Sequence, residues 1–155
     1  MSIEPSIQPV ARLIGVWEGQ GQGRYPTIND FEYREELTFS DIGKPFLHYV
    51  QRTWSPDGKP MHTETGYLRI KAPVAEFVLA LPTGQAELCE GTLAVDGEVV
   101  TLELTGRVLN SATAKQVTAT RRRYVLDGDM LRTEFDMEAA GQPMSRHLDS
   151  VLYRK

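Results

Sequence analysis

Apolar residues in this chain recur at every second position, and a period of two commits a chain to strands rather than helices. Between Glu32 and Ser40, Tyr33, Leu37 and Phe39 fall on one face, opposite Glu32, Arg34, Glu36 and Thr38. Phe46 to Trp54 is rich in the aromatic and β-branched residues that suit a pleated, half-buried surface. Further strand-like runs are Tyr67 to Lys71, Ala75 to Leu81, Glu87 to Val95, Val99 to Thr105, Gln116 to Leu126, Met130 to Met137 and Met144 to Tyr153. Asp57-Gly58, Asp96-Gly97 and Asp127-Gly128 offer the positive-φ positions of tight hairpins, and Pro82-Thr83-Gly84 and Gly141-Gln142-Pro143 are further turns. Ser6 to Leu13 is the one stretch suited to a short helix or turn. About ten strands joined by short hairpins predict an all-β, up-and-down antiparallel barrel, because a sheet that wide curls and closure removes its exposed edges. Such a barrel encloses more space than one layer of side chains fills, which predicts a ligand cavity.

With 155 residues and no break in composition, residues 1–155 read as one domain. A formal net charge of −4 argues against a nucleic-acid partner. Arg121-Arg122-Arg123 does not change this: in a strand the middle arginine faces away from the other two, and the run reads as a solvated strand. The single cysteine, Cys89, has no intramolecular partner and reads as a small apolar strand residue. Met1-Ser2-Ile3-Glu4-Pro5 has neither the basic start nor the apolar core of a signal peptide, and no run approaches the ~18 apolar residues of a membrane span. These features predict a soluble, cytoplasmic protein with no membrane partner.

Several patterns suggest chemistry. The glycines of Gly15-Val16-Trp17-Glu18-Gly19-Gln20-Gly21-Gln22-Gly23 are spaced Gly-x-Gly-x-Gly, and Tyr25-Pro26-Thr27 after them does not start a helix, so a phosphate-cradling loop is not indicated. They read instead as strand glycines that permit sharp coiling and close approach of a neighbour or ligand. Ser145, His147 and Asp149 share a strand face, but neighbours there lie about 6.6 Å apart, too far for a nucleophile and its base. His62 falls opposite Thr53 across the Asp57-Gly58 turn, about 16 Å along the strand from His48, so those two do not share one metal in a regular hairpin. Glu35 and Glu36 are adjacent and point to opposite faces, so they form no acid/base pair. From the residues alone, each histidine is a packed or surface side chain, and the reading ends at a small-ligand-binding β-barrel.

The stretch Gly15-x-Trp17-x-Gly19-x-Gly21-x-Gly23-x-Tyr25-Pro26-Thr27-Ile28 resembles the Gly-x-Trp-x-Gly-x-Gly signature of the nitrobindin family, haem-binding relatives of the fatty-acid-binding-protein barrels. Phe31-Glu32-Tyr33-Arg34-Glu35-Glu36, Gly43-Lys44-Pro45-Phe46-Leu47 and Gln51-Arg52-Thr53-Trp54 are similar to the family's next segments. So are His62-Thr63-Glu64-Thr65-Gly66-Tyr67-Leu68-Arg69 and Arg146-His147-Leu148, in order from about residue 11 to residue 154. The resemblance implies a ten-stranded barrel with one haem b at its mouth. It implies that His147, which precedes a leucine in the last strand, is the axial iron ligand and the catalytic residue. His62 corresponds to the histidine of the opposite, distal side, and Thr27 and Lys115 to haem-edge contacts. His48 matches no required histidine.

Family members favour ferric haem, bind nitric oxide and isomerise peroxynitrite to nitrate, at an iron that acts as a Lewis acid toward the peroxo oxygen. Nitric oxide or peroxynitrite is thus the implied small-molecule partner, and the barrel admits a homodimer. Two other readings stand beside this one: a fatty-acid-like carrier without iron, for which no buried Arg and Tyr pair is evident, and a barrel that has lost its haem. The last strand carries a tension. In regular alternation His147 shares a face with Asp149, Val151 and Tyr153, opposite Leu148 and Leu152, so either the mixed face lines the mouth or a bulge shifts the register.

Overall fold

A computed structural model of the chain describes residues 2–155; Met1, part of the segment read for a leader, lies outside them. A 3₁₀ helix over Pro5–Leu13 leads into β1 (Gly15–Tyr25), β2 (Ile28–Lys44), β3 (Phe46–Trp54), β4 (Pro60–Lys71) and β5 (Val74–Ala80). There follow β6 (Gln85–Asp96), β7 (Val99–Asn110), β8 (Val117–Asp127), β9 (Met130–Ala139) and β10 (Ser145–Arg154). Each strand pairs antiparallel with its sequence neighbours, and β1 pairs with β10, so the ten strands form one closed barrel. The expected up-and-down topology is the one observed. Gly58, Gly97 and Gly128 all adopt positive φ, as the Asp-Gly turns require. The strands run longer than the apolar alternation suggests: β4 starts at Pro60 and β7 continues to Asn110, through residues whose pairing is set by their neighbours. No helix among the described residues is long and apolar enough to cross a membrane.

The barrel interior has two storeys. In the lower one Trp17, Phe39, Leu47, Leu68, Phe77, Leu102, Leu126 and Leu131 pack into a continuous apolar core. The 3₁₀ helix closes this end, burying Ile7, Val10 and Leu13, and the Leu13 carbonyl accepts from Trp17 Nε1 at 2.8 Å. The upper storey is open at the β1–β2 turn. Between them lies a belt of buried polar side chains, among them Glu35, Gln51, Glu64, Glu87, Thr120, Arg122 and Ser150. Arg122 corrects the solvated reading of its triplet. Alternation turns it inward, where it is buried, while Arg121 and Arg123 are exposed.

The β1 glycines make room for their neighbours. A Cβ on Gly21 would lie 2.3 Å from the Tyr33 ring, and one on Gly23 2.0 Å from the Phe31 ring. Two aromatic rings of β2 therefore lie across the backbone of β1, which only glycine permits. Tyr33 is buried and its hydroxyl donates to the Asp149 carbonyl at 3.4 Å, so the ring has little freedom to withdraw. Gly21→Ala is expected to destabilise the fold by roughly 1–3 kcal/mol through overpacking, with the urea midpoint lowered and the slope unchanged.

Candidate functional site

The upper storey holds a cavity of about 630 Å³, within the usual range for small-molecule sites. Apolar groups from Tyr25, Phe31, Met61, Leu81, Val108 and Phe135 line it above the polar belt. The structure brings Thr27, His62, Lys115 and His147 together around this cavity. His48 is elsewhere: its Nε2 lies 3.1 Å from Thr65 Oγ1 and its ring packs at a tilt against Tyr67, on the outer side of the sheet.

His147 reaches the cavity by a bulge. In β10 Arg146 pairs with Asp136 and Leu148 with Phe135, so His147 is the extra residue and has no partner in β9. Leu148, Ser150 and Leu152 keep the inward parity of the strand, and the bulge adds His147 to the same side. The register shift is therefore the correct resolution of the tension between His147 and its leucines. The ring sits among Tyr25, Phe31 and Phe135, with centroids 5.5, 6.3 and 6.1 Å away. Its Nδ1 lies 2.9 Å from the Arg24 carbonyl. A carbonyl only accepts, so Nδ1 carries the hydrogen and Nε2, at the opposite edge of the ring, keeps a lone pair. Burial pushes the ring pKa down, outweighing the carbonyl bond that raises it, with His62 adding a small downward push. Arg24 grips β10 a second time, its guanidinium 3.0 Å from the Asp149 carboxylate.

His62 stands beside another register irregularity. Arg52 pairs with Thr63 and Trp54 with Pro60, leaving Thr53 opposite Met61 and His62, both of which line the cavity. Thr53 Oγ1 accepts from the His62 amide at 3.0 Å, and His62 Nε2 lies 3.1 Å from Glu64 Oε1.

Beneath the cavity lies an ion cluster that the sequence reading missed. Arg122, Glu64 and Glu87 have side chains 5%, 4% and 2% exposed. Arg122 Nε and Nη2 donate to the two oxygens of Glu87 at 2.8 Å each, and Nη1 donates to Glu64 Oε2 at 2.7 Å. Thr120 Oγ1 and Cys89 Sγ also donate to Glu87, and the Tyr49 hydroxyl donates to Glu64 at 2.9 Å. The guanidinium lies 4.7 Å over the Phe135 ring. Burial alone would raise the Glu64 carboxyl, but Arg122 and His62 hold it down to about 2. The signal was in the alternation: an arginine at an inward position needs inward carboxylates, and Glu64 and Glu87 share that parity in their strands. Cys89 is buried, and burial followed by the charge of Glu87 pushes its thiol up, so it is an inert core residue.

Glu35 behaves differently from its neighbours. Burial raises its carboxyl, against hydrogen bonds from Ser150 and Gln51 that lower it. Ser150 donates to Oε1, and Gln51 lies 2.6 Å from Oε2 while its own amide oxygen is buried without a partner. Turning that amide end for end lets a neutral Glu35 donate to the Gln51 oxygen. The belt thus holds two charged carboxylates around one guanidinium, and one carboxyl that folding favours in its protonated form.

Comparison with known proteins agrees with this architecture. The model of the THAP4-like, heme-binding beta-barrel domain matches residues 6–154. The chain belongs to this family of haem-binding β-barrels. Among its relatives, "Peroxynitrite isomerase 1" of Mycobacterium tuberculosis is 48% identical, over 99% of this chain and 97% of the relative. "Peroxynitrite isomerase" of Nocardia farcinica is 45% identical, over 99% and 94% respectively. The crystal structure of Rv2717c from M. tuberculosis superposes with a TM-score of 0.97 at 47% identity, covering 99% of both chains.

The site of this family member suits a flat, largely apolar macrocycle bearing a metal. It offers an aromatic wall, one imidazole fixed in the neutral tautomer with a free nitrogen, and a single exposed lysine at the rim. Two outcomes are expected from the belt. Arg122→Met strands two buried carboxylates and should cost about 3–5 kcal/mol in chemical denaturation. Because the folded pKa of Glu35 is raised, its contribution to stability is present below the unfolded pKa and falls away as pH rises above it. Glu35→Gln should therefore raise the melting midpoint relative to the parent at about pH 8, with the gap closing by about pH 4.

Proposed function

We propose that the whole chain acts as one unit that binds one haem b through His147 and, in its ferric state, isomerises peroxynitrite to nitrate. The observation that carries this reading is the bulged His147, with Nδ1 held by the Arg24 carbonyl and Nε2 left as the donor. A carbonyl partner on the second ring nitrogen is the usual way a protein orients a metal-binding histidine and strengthens its donor lone pair. The names of the relatives support the reaction. When bound, ferric haem supplies a Lewis-acidic iron with an open position for a small anion.

The chain's own residues supply the rest. Tyr25, Phe31 and Phe135 restrict rotation of the His147 ring and exclude water from its face. Thr27 and Lys115 stand exposed at the rim, where the lysine ammonium would hold the haem carboxylates. The Gln85 amide donates to the Lys115 carbonyl at 2.9 Å and so fixes the turn that carries it. His62 faces the cavity as a hydrogen-bonding group toward the small ligand. No protein nucleophile is required, and the isomerisation conserves atoms without an added electron. Nitric oxide would be a second small ligand of the bound haem. A cytoplasmic location and a homodimer complete the reading, the latter through the exposed outer face where Tyr67 and Val78 stand side by side.

The carrier reading loses its anchor. A buried Arg with two tyrosines is present in Arg122, Tyr49 and Tyr124, the device such a carrier uses for a carboxylate. That guanidinium is already taken by Glu64 and Glu87, so a further carboxylate would find no free charge. Titration of the purified protein with hemin should give a Soret band that saturates at one equivalent, and His147→Ala should abolish it. Stopped-flow mixing of the loaded protein with peroxynitrite should give faster decay with nitrate as product. Absence of a Soret band with the intact protein would overturn the haem reading.

A further inference from the structure

We propose that Glu64 is a positioning residue: it pins Nε2 of His62, so that Nδ1 is the nitrogen His62 presents to a ligand in the cavity. The proposal rests on the haem reading above and adds to it a residue that sets how the second histidine acts. His62 Nε2 lies 3.1 Å from Glu64 Oε1. Glu64 is an acceptor only, since Arg122 keeps it charged, so the hydrogen of this contact belongs to His62. Both the neutral and the cationic ring then carry Nε2–H, and only Nδ1 changes. It accepts from a ligand O–H when bare and donates to an anion when protonated.

The two histidines of the cavity are thus set in opposite senses. His147 has Nδ1 pinned by a carbonyl and offers Nε2, whereas His62 has Nε2 pinned by a carboxylate and offers Nδ1. Glu64 holds His62 firmly because it is itself held. Its Oε2 accepts from Arg122 Nη1 and from the Tyr49 hydroxyl, while Arg122 is clamped bidentately by Glu87 and covered by Phe135. Thr53 fixes the His62 backbone from the opposite strand. A ring anchored at both ends in this way has one orientation to offer a ligand.

The same geometry predicts what Glu64→Gln does. Arg122 Nη1 and the Tyr49 hydroxyl donate to Oε2 at 2.7 and 2.9 Å, against one long 3.4 Å contact of Arg122 Nη2 with Oε1. The amide oxygen therefore takes the Oε2 place and the NH₂ group turns toward His62. His62 Nε2 must then accept, and the ring hydrogen moves to Nδ1. Nitrogen NMR of the haem-free protein should show Nε2–H at His62 in the parent and the opposite tautomer in Glu64→Gln. Glu87→Gln perturbs the same ion cluster without touching His62 and should leave the parent tautomer in place.

In the hemin-loaded ferric protein at about pH 8, above the ordinary imidazole range, fluoride affinity should rise roughly tenfold in Glu64→Gln, because Nδ1 then carries a hydrogen for the anion where the parent shows a lone pair. His62→Ala should remove this gain, so that the double variant binds fluoride as His62→Ala alone does. An unchanged His62 tautomer in Glu64→Gln overturns the proposal, and so does a fall in fluoride affinity in Glu64→Gln or a gain that persists in the His62→Ala background. The nitrogen spectrum needs no haem, so failure to take up hemin would strike the haem reading and leave this test standing.

Discussion

Closure of the sheet between β1 and β10 is the constraint on which the other features depend. The pairing runs from Trp17 opposite Arg154 to Gly23 opposite Leu148. It removes the two edges that an open ten-stranded sheet would expose to other chains. It also delivers the Arg24 carbonyl to the His147 ring and the Arg24 guanidinium to Asp149. The glycines of β1 serve the same seam. Gly19 passes under the β10 backbone, where a Cβ would lie 2.0 Å from the Val151 carbonyl oxygen, and Gly21 and Gly23 admit the rings of Tyr33 and Phe31. Phe31 in turn is one of the rings that surround His147. The segment that looks in sequence like a nucleotide loop is the closing strand of the barrel, and its small residues shape the wall of the cavity.

The two storeys divide the physical work. The lower storey, sealed by Ile7, Val10 and Leu13 of the 3₁₀ helix, buries most of the large apolar side chains and carries the stability. The belt above it contributes little net stability, since the desolvation of two carboxylates and a guanidinium roughly offsets their attraction. What the belt provides is direction. Arg122 has its five N–H donors committed by Glu87, Glu64 and the neighbouring Tyr124 hydroxyl, and its flat face covered by Phe135. A guanidinium so fixed orients Glu64 toward His62 on one side, and on the other supports the Phe135 ring that packs against His147. The belt therefore links both histidines through one immobile residue.

Most of the fold was legible because strand period and turn chemistry are local. The Asp-Gly hairpins, the β3 limits and the inward set Tyr33, Leu37 and Phe39 follow from residues a few positions apart. The strand ends were less legible: Pro60 to Gly66 has little apolar alternation and becomes strand by pairing with β3 and β5. The Arg122 cluster was hidden for a related reason. Arg122, Glu64 and Glu87 lie on three different strands, and only the closed barrel brings both carboxylates within 3 Å of the guanidinium. Read singly, a charged residue in a strand is a solvated one, which is correct for Arg121 and Arg123. The candidate site came from family resemblance, because one histidine in a strand carries no signal of its own.

Both cavity histidines sit where the strand register breaks, and this has a physical reason. A regular strand in a closed barrel gives each inward position two outward neighbours, so its cavity-facing side chains lie about 6.6 Å apart along the strand. A bulge places two consecutive residues on the same side, His147 with Leu148 and Met61 with His62, which regular pleating forbids. It also frees the local backbone from one ladder partner, so the side chain can be aimed by other bonds: the Arg24 carbonyl for His147, Thr53 and Glu64 for His62. His62 keeps the inward parity of Glu64 and Leu68, whereas Met61 and His147 reach the cavity because the bulges redirect them. The residue that carries the site, His147, is thus an exception to the alternation, held by a carbonyl contact that substitutes for the missing ladder bonds.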